Sequence, residues 1–240
     1  MVALKKFAFV VGSTQGVGRH LVDMLCKSQY TVRATYRKEE DKEKLSNMGA
    51  EPIHLDLADV DENELAKDME GYPNVFFTAG SKGKDVWNID RDGAVKVANA
   101  MLKTSDSDSH LILLSGLACD QAEKMGELEE YGKAKFEADQ KILQMENTRL
   151  KSTIVRPGGL TDDPFKGKVI FNRGLPANEK SLIEMVDMNE IVNTRTDVAN
   201  VMLRSAEIFK DDRKSRVFEM INGNEKNPGQ ETVEGLQMLL

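Results

Sequence analysis

Cysteine is scarce in this sequence: only Cys26 and Cys119 occur in 240 residues. One falls in the first helical segment and the other past a core strand, so no disulfide framework is expected. That fits the cytoplasm or another reducing compartment, an organelle included if a transit peptide has been removed. Each thiol reads as buried or incidental rather than reactive. Basic residues are also in deficit, with 33 Lys and Arg against 40 Asp and Glu and a net charge of −7. Such a chain has no basic excess to release counterions from nucleic acid, although a local cluster can still hold one phosphate. No apolar run approaches the length of a membrane span, and the first residues do not read as a signal peptide. His20, His54 and His110 fall in three separate elements without metal-ligand spacing, so no metal site is expected. Repeats, low-complexity tracts and linker-like shifts in composition are absent as well. The chain therefore reads as a single domain over 1–240.

What is present is a globular composition, 40% hydrophobic and 30% charged, organised around Phe7 to Leu25. Phe7 to Val11 is an apolar run too short for a helix and stopped by glycine, as a buried parallel strand reads. After Gly12-Ser13-Thr14-Gln15-Gly16-Val17-Gly18 the period changes, and Val17, Leu21, Met24 and Leu25 share one helical face. Strand, glycine-rich turn and helix make the context in which such glycines bind a dinucleotide. Gly12 permits the tight turn, and Gly16 or Gly18 allows close approach of a pyrophosphate to the helix N-terminus.

Strand-like and helix-like segments then alternate, which implies an α/β fold with a doubly wound parallel sheet. Strands are expected at Thr31 to Tyr36, Pro52 to Leu57, Val75 to Thr78, Ser109 to Ser115, Ser152 to Arg156 and Val217 to Met220. Helices are expected at Lys38 to Met48, Asp61 to Met69, Val86 to Leu102, Leu128 to Gln144, Thr196 to Phe209 and Glu231 to Leu240. Pro157-Gly158-Gly159 breaks the sixth strand. From Leu160 to Asn193 the period is lost. That region lies beyond the carboxyl end of a late strand, where ligands of doubly wound sheets sit, so 160–193 is the expected substrate side.

The end of the second strand carries Arg33, Arg37 and Lys38 and no acid. An acid there would hold a ribose 2′-hydroxyl, whereas Arg37 can fork onto a 2′-phosphate, so NADP is the expected cofactor. Asp56 is placed either to accept from the adenine amino group or to cap the next helix. Tyr131 and Lys135, four residues apart on a helix, share a face. The ammonium is expected to lower the tyrosine pKa and make Tyr131 a general acid, with Ser115 hydrogen-bonding the same substrate oxygen. Trp87 and the methionines read as packing.

These segments resemble a known family. VVGSTQGVGRHLV, TVRATYR, HLDLAD, FFTAGS, the Asp90-x-x-Gly93 helix, LILLSG, YGKAKFEAD, STIVRPGGLTDDP and TRTDVANVM are similar to the atypical, NmrA-like NAD(P)-binding branch of the short-chain dehydrogenases/reductases. The glycine spacing Gly12, Gly16, Gly18 is that of the wider short-chain family, with Gln15 at the branch's middle glycine. The resemblance implies a Rossmann fold with NADP (NADPH) along Gly12 to Gly18, Arg37, Asp56-Leu57 and Ala79-Gly80. It also implies Ser115, Tyr131 and Lys135 as catalytic candidates, Lys135 touching the nicotinamide ribose, and Pro157 and Gly158 lining the nicotinamide pocket. The function expected is an NADP-dependent oxidoreductase acting on a small carbonyl or alcohol. The alternatives are a cofactor-binding regulator or scaffold without turnover, whose 160–193 region meets a protein partner, and an NAD(P)-dependent epimerase or isomerase.

Overall fold

The computed structural model describes residues 6–105, 108–145, 149–173, 181–185 and 190–240. Seven parallel strands form the body of the sheet: β1 (Lys6–Val11), β2 (Tyr30–Tyr36), β3 (Glu51–His54), β4 (Asn74–Phe77), β5 (Ser109–Leu114), β6 (Leu150–Pro157) and, later in the chain, Arg216–Asn222. Between β6 and that last strand come β7 (Gly159–Thr161), β8 (Lys168–Arg173) and β9 (Val192–Thr194), making it β10, and β11 (Gln230–Glu231) follows. The order is β11-β8-β10-β6-β5-β4-β1-β2-β3, with β8 running antiparallel to β10, while β7 and β9 form a separate parallel pair. The doubly wound expectation holds.

Each central strand divides its side chains between two cores, because both faces are covered. Ala8 and Val10 face α1 (Gly16–Lys27) and α7 (Arg195–Ile208) together with Phe76, Ile112 and Val155. Phe9 and Val11 join Val75, Phe77, Leu111 and Leu113 against α3 (Glu62–Met69), α4 (Ala94–Met101) and α5 (Glu129–Leu143). Asp61 caps α3, its carboxylate accepting from the Asn63 and Glu64 amides.

Several boundaries differ from expectation. Lys38 to Met48 divides into a 3₁₀ turn at Glu39–Asp41 and the short α2 (Lys42–Asn47). The helix expected from Val86 begins as π-type turns over Val86–Gly93 before α4. The third strand ends at His54, so Asp56 and Leu57 lie in the turn beyond it. Pro157 still belongs to β6, and the chain resumes as β7 after Gly158 alone. Region 160–193 supplies β7, β8, β9 and the short α6 (Leu182–Met185), while its parts at 174–180 and 186–189 lie outside the described residues. Past β11 the closing helix is α8 (Thr232–Gln237). No helix among the described residues is long and apolar enough to cross a membrane.

His110, at the start of β5, is buried and its Nε2 lies 2.8 Å from Thr153 Oγ1. Burial, reinforced by the charges of Lys151 and Arg216, drops its pKa to about 3. Because the unfolded chain binds this proton from about pH 6.5 downward and the folded one does not, acid favours unfolding across that window. Urea titrations between these limits are expected to show His110→Gln losing up to about 1.4 kcal/mol per pH unit of the wild-type slope. An unchanged slope would mean that His110 titrates normally.

Candidate functional site

Parallel register brings the ends of β1, β4, β5 and β6 side by side, since Val11 pairs with Phe77, Phe77 with Leu113 and Leu114 with Val155. The residues that follow these strands therefore converge on one edge. There the chain order reverses, with β2 on one side of β1 and β4 on the other, which opens the crevice of a doubly wound sheet.

The glycine loop is shaped by close backbone approach. Gly12 has φ +84, and a Cβ there would overlap the Ala79 backbone; at Gly18 it would overlap the Gly12 carbonyl and Thr78 Oγ1. Gly18 thus joins α1 to β4, and Gly16, with φ +56 and no backbone within reach of a Cβ, is the open position. Ser13 is buried, its hydroxyl donating to the Thr35 carbonyl, while Thr35 Oγ1 accepts from the Gly12 amide at 3.2 Å. Thr14 is half-buried and Val17 belongs to the core. Gln15 precedes α1 without capping it, and its amide oxygen instead accepts from Lys82 at 3.0 Å. The first turn of α1 holds no acid, so its free N–H groups keep their positive end for an anion.

At the end of β2 the basic residues part. Arg33 points away, bonded to Glu51 at 2.8 Å and the Asp68 carbonyl at 2.7 Å and stacked on Tyr72. Arg37 is exposed beyond the strand end. Lys38, also exposed, lies 4.0 Å from Glu40. Asp56 accepts from the Ala58 amide at 3.0 Å, leaving its other carboxylate oxygen available. Leu57 is buried against Gly93, and Ala79 and Gly80 lie at the end of β4. The loop, the uncapped helix end and the acid make a set that fits a dinucleotide, with Arg37 standing exposed past the end of β2.

Tyr131 and Lys135 sit on α5, with the ammonium 5.6 Å from the ring centroid. Lys135 is buried, donates to the Leu114 carbonyl at 3.1 Å and lies 3.3 Å from Asp90 Oδ1. Burial opposes its charge, but Tyr131 and Asp90 outweigh burial and hold its pKa above the usual value. The tyrosine corrects the sequence expectation. Burial pushes its pKa up, and the pull of Lys135 is not enough, partly because Asp90 acts the other way. The phenol is therefore protonated at neutral pH. Its ring closes on Gly116, where a Cβ would lie 3.4 Å from Cε1.

Ser115 is buried, and its hydroxyl donates to Asp139 Oδ2 at 2.9 Å. The same oxygen accepts from Arg156 Nε at 2.9 Å, and Arg156 also approaches Asp120 at 3.5 Å. Cys119 lies 3.5 Å from that carboxylate, and burial pushes its thiol pKa up. The structure thus ties Ser115 into a buried ionic network rather than leaving its proton free. Asp90, Asp139 and Arg156 are functional candidates that the sequence reading passed over. Asp139 had a signal: Tyr131, Lys135 and Asp139 repeat every four residues on one face of α5. Asp90 emerges from the π-type turns, accepting from the Ser81 amide at 3.0 Å.

Pro157 is buried at the end of β6, and the Gly158 amide donates to Asn193 Oδ1 at 2.8 Å. A Cβ at Gly158 would come within 2.6 Å of the Ile191 carbonyl, so only glycine fits between β6 and the strand that follows Ile191. Residues 161–165 roof a cavity of about 200 Å³ against His20 and Arg195. A cavity of about 530 Å³ lies between β8 and α8 and touches none of these residues.

A family described as NAD(P)H-binding matches residues 12–208. The uncharacterized sugar epimerase YhfK of Bacillus subtilis (strain 168) is 32% identical over 210 residues, 85% of this chain and 94% of that protein. Among solved structures, the oxidoreductase ylbE from Lactococcus lactis is 29% identical, with 97% of this chain and 96% of that one covered and a TM-score of 0.76. A short-chain dehydrogenase/reductase from Veillonella parvula in complex with NADP shares the fold at 12% identity, with 95% and 99% covered and a TM-score of 0.66.

Proposed function

The chain belongs to the NAD(P)H-binding family, and from that premise we propose that it is an NADP-dependent oxidoreductase of the short-chain type acting on a small carbonyl or alcohol. The observation that carries the proposal is the half-buried Tyr131 beside a buried, charged Lys135 on the sheet edge that also bears the glycine loop. When bound, NADPH supplies the hydride for the carbonyl carbon. The backbone from Gly12 to Gly18 and the first turn of α1 hold the pyrophosphate. Arg37 forks onto the 2′-phosphate, and the free oxygen of Asp56 accepts from the adenine amino group. Leu57, Ala79 and Gly80 flank that half, while Pro157 and Gly158 line the nicotinamide side.

Tyr131, protonated at neutral pH, gives its proton to the developing alkoxide, and the Lys135 ammonium stabilises the phenolate left behind. Asp90 keeps Lys135 in place. Ser115, whose hydroxyl donates to Asp139, has no free proton to offer the substrate oxygen.

A titration of NADPH against NADH, followed by nicotinamide fluorescence, tests the cofactor assignment. Wild type is expected to prefer NADPH, and Arg37→Ala to lose about tenfold or more of that preference by losing a charge-assisted fork. Equal affinity for both cofactors in wild type would contradict it. YhfK, by its name a sugar epimerase, favours a second reading in which the cofactor is reduced and reoxidised within one turnover. Net NADPH consumption separates the two, since an epimerase shows none.

A further inference from the structure

Arg195 is the first residue of α7 and opens the Arg-x-Asp-Val-Ala stretch, which no step above uses. Its guanidinium lies over the glycine loop: the atoms nearest a Cβ built on Gly16 are Arg195 Nε and Cδ, at 3.7 and 3.8 Å. The position is built. Thr194 caps α7 by accepting from the Asp197 amide at 3.0 Å, and the Thr194 amide donates to Asn222 Oδ1 at 2.7 Å. Buried Asp197 accepts from the Lys166 amide at 3.0 Å, the Gly167 amide at 2.8 Å and the Thr194 hydroxyl at 2.6 Å. The acid of the stretch thus pins the loop before β8 to α7, and the arginine is left reaching toward α1.

A cation beside the acid-free start of α1 meets like charge. Its ion-pair partner among the described residues is Asp162 at 3.0 Å, and that carboxylate is 83% exposed, so the pair is weak and exchangeable. Both observations make sense if the partly exposed Arg195 side chain, now within a methyl's contact of Gly16, shifts to admit an anion between guanidinium and loop. We infer that Arg195 is a cofactor-binding residue that clamps the pyrophosphate from the side opposite the α1 amides, with Asp162 as the partner it exchanges. The inference rests on the cofactor reading above. It separates two cationic roles: Arg37 serves the 2′-phosphate, which only NADPH has, and Arg195 serves the pyrophosphate, which NADPH and NADH share.

The test is the same pair of titrations on Arg195→Ala, with Asp162→Asn as a second variant. Arg195→Ala is expected to weaken NADPH and NADH alike, by about tenfold or more, leaving their ratio at the wild-type value. Asp162→Asn is expected to tighten both, because Arg195 no longer has a competing carboxylate. Unchanged affinity in Arg195→Ala, or a loss confined to NADPH, would overturn the inference while leaving the cofactor reading intact. Wild type binding neither cofactor would overturn both.

Discussion

Tyr131→Phe is expected to lower carbonyl reduction by at least about 100-fold, the contribution of a positioned general acid. The small carbonyl used is whichever one wild type reduces in a screen with NADPH. Cofactor affinity is expected to stay at its wild-type value, because the lost hydroxyl makes no cofactor contact in this mechanism. The pH dependence carries further information. Burial holds the Tyr131 pKa above its ordinary value despite Lys135, so the phenol remains a proton donor through neutral pH. Reduction therefore stays level into the alkaline range, whereas the reverse oxidation, which needs the phenolate, rises with pH. A regulator without turnover would show no kinetic change in Tyr131→Phe. Stopped assays in both directions, on wild type and variant, distinguish these outcomes.

Asp139→Ala is expected to be the most destabilising substitution of those considered, by about 3–5 kcal/mol. Asp139 is fully buried and Arg156 is 4% exposed, so the charge left behind cannot reach water. Ser115 also loses the acceptor of its hydroxyl proton. Breaking a buried pair costs more than replacing it, because the remaining ion keeps its desolvation penalty with only the longer 3.5 Å contact to Asp120. The double variant Asp139→Ala/Arg156→Met is accordingly expected to recover part of the loss. Urea unfolding of the two singles and the double gives the coupling directly. Strict additivity would mean that the carboxylate and guanidinium do not stabilise one another, contrary to their 2.9 Å contact.

How far the sequence could be read follows from where the information lies. The glycine loop was legible because strand, turn and helix are local, and the two-sided burial of β1 shows as an unbroken apolar run. Arg37 was legible as a cation at a strand end, but Arg33 looked equivalent, and only the placement of Glu51 and Tyr72 beside it shows that it faces elsewhere. The Tyr131 pKa was misjudged because spacing reveals the ammonium and conceals both the burial and Asp90, which comes from a distant segment. Ser115 read as a free donor because its partner is 24 residues away. Arg195 appeared only as part of a family stretch, since its relation to Gly16 is made by the packing of α7 on α1. Region 160–193 lost its period for a physical reason. Two of its strands have three residues, the third, β8, runs antiparallel between β10 and β11, and β8 shows no regular burial alternation.

The most direct test of the central claim is a crystal structure of the protein with NADPH. The account predicts the pyrophosphate between Gly16 and Arg195, the 2′-phosphate on Arg37, and the nicotinamide by Pro157 with the Tyr131 hydroxyl within hydrogen-bond reach of a carbonyl held against it. A nicotinamide turned away from Tyr131, with the hydroxyl walled off from any ligand, would contradict it.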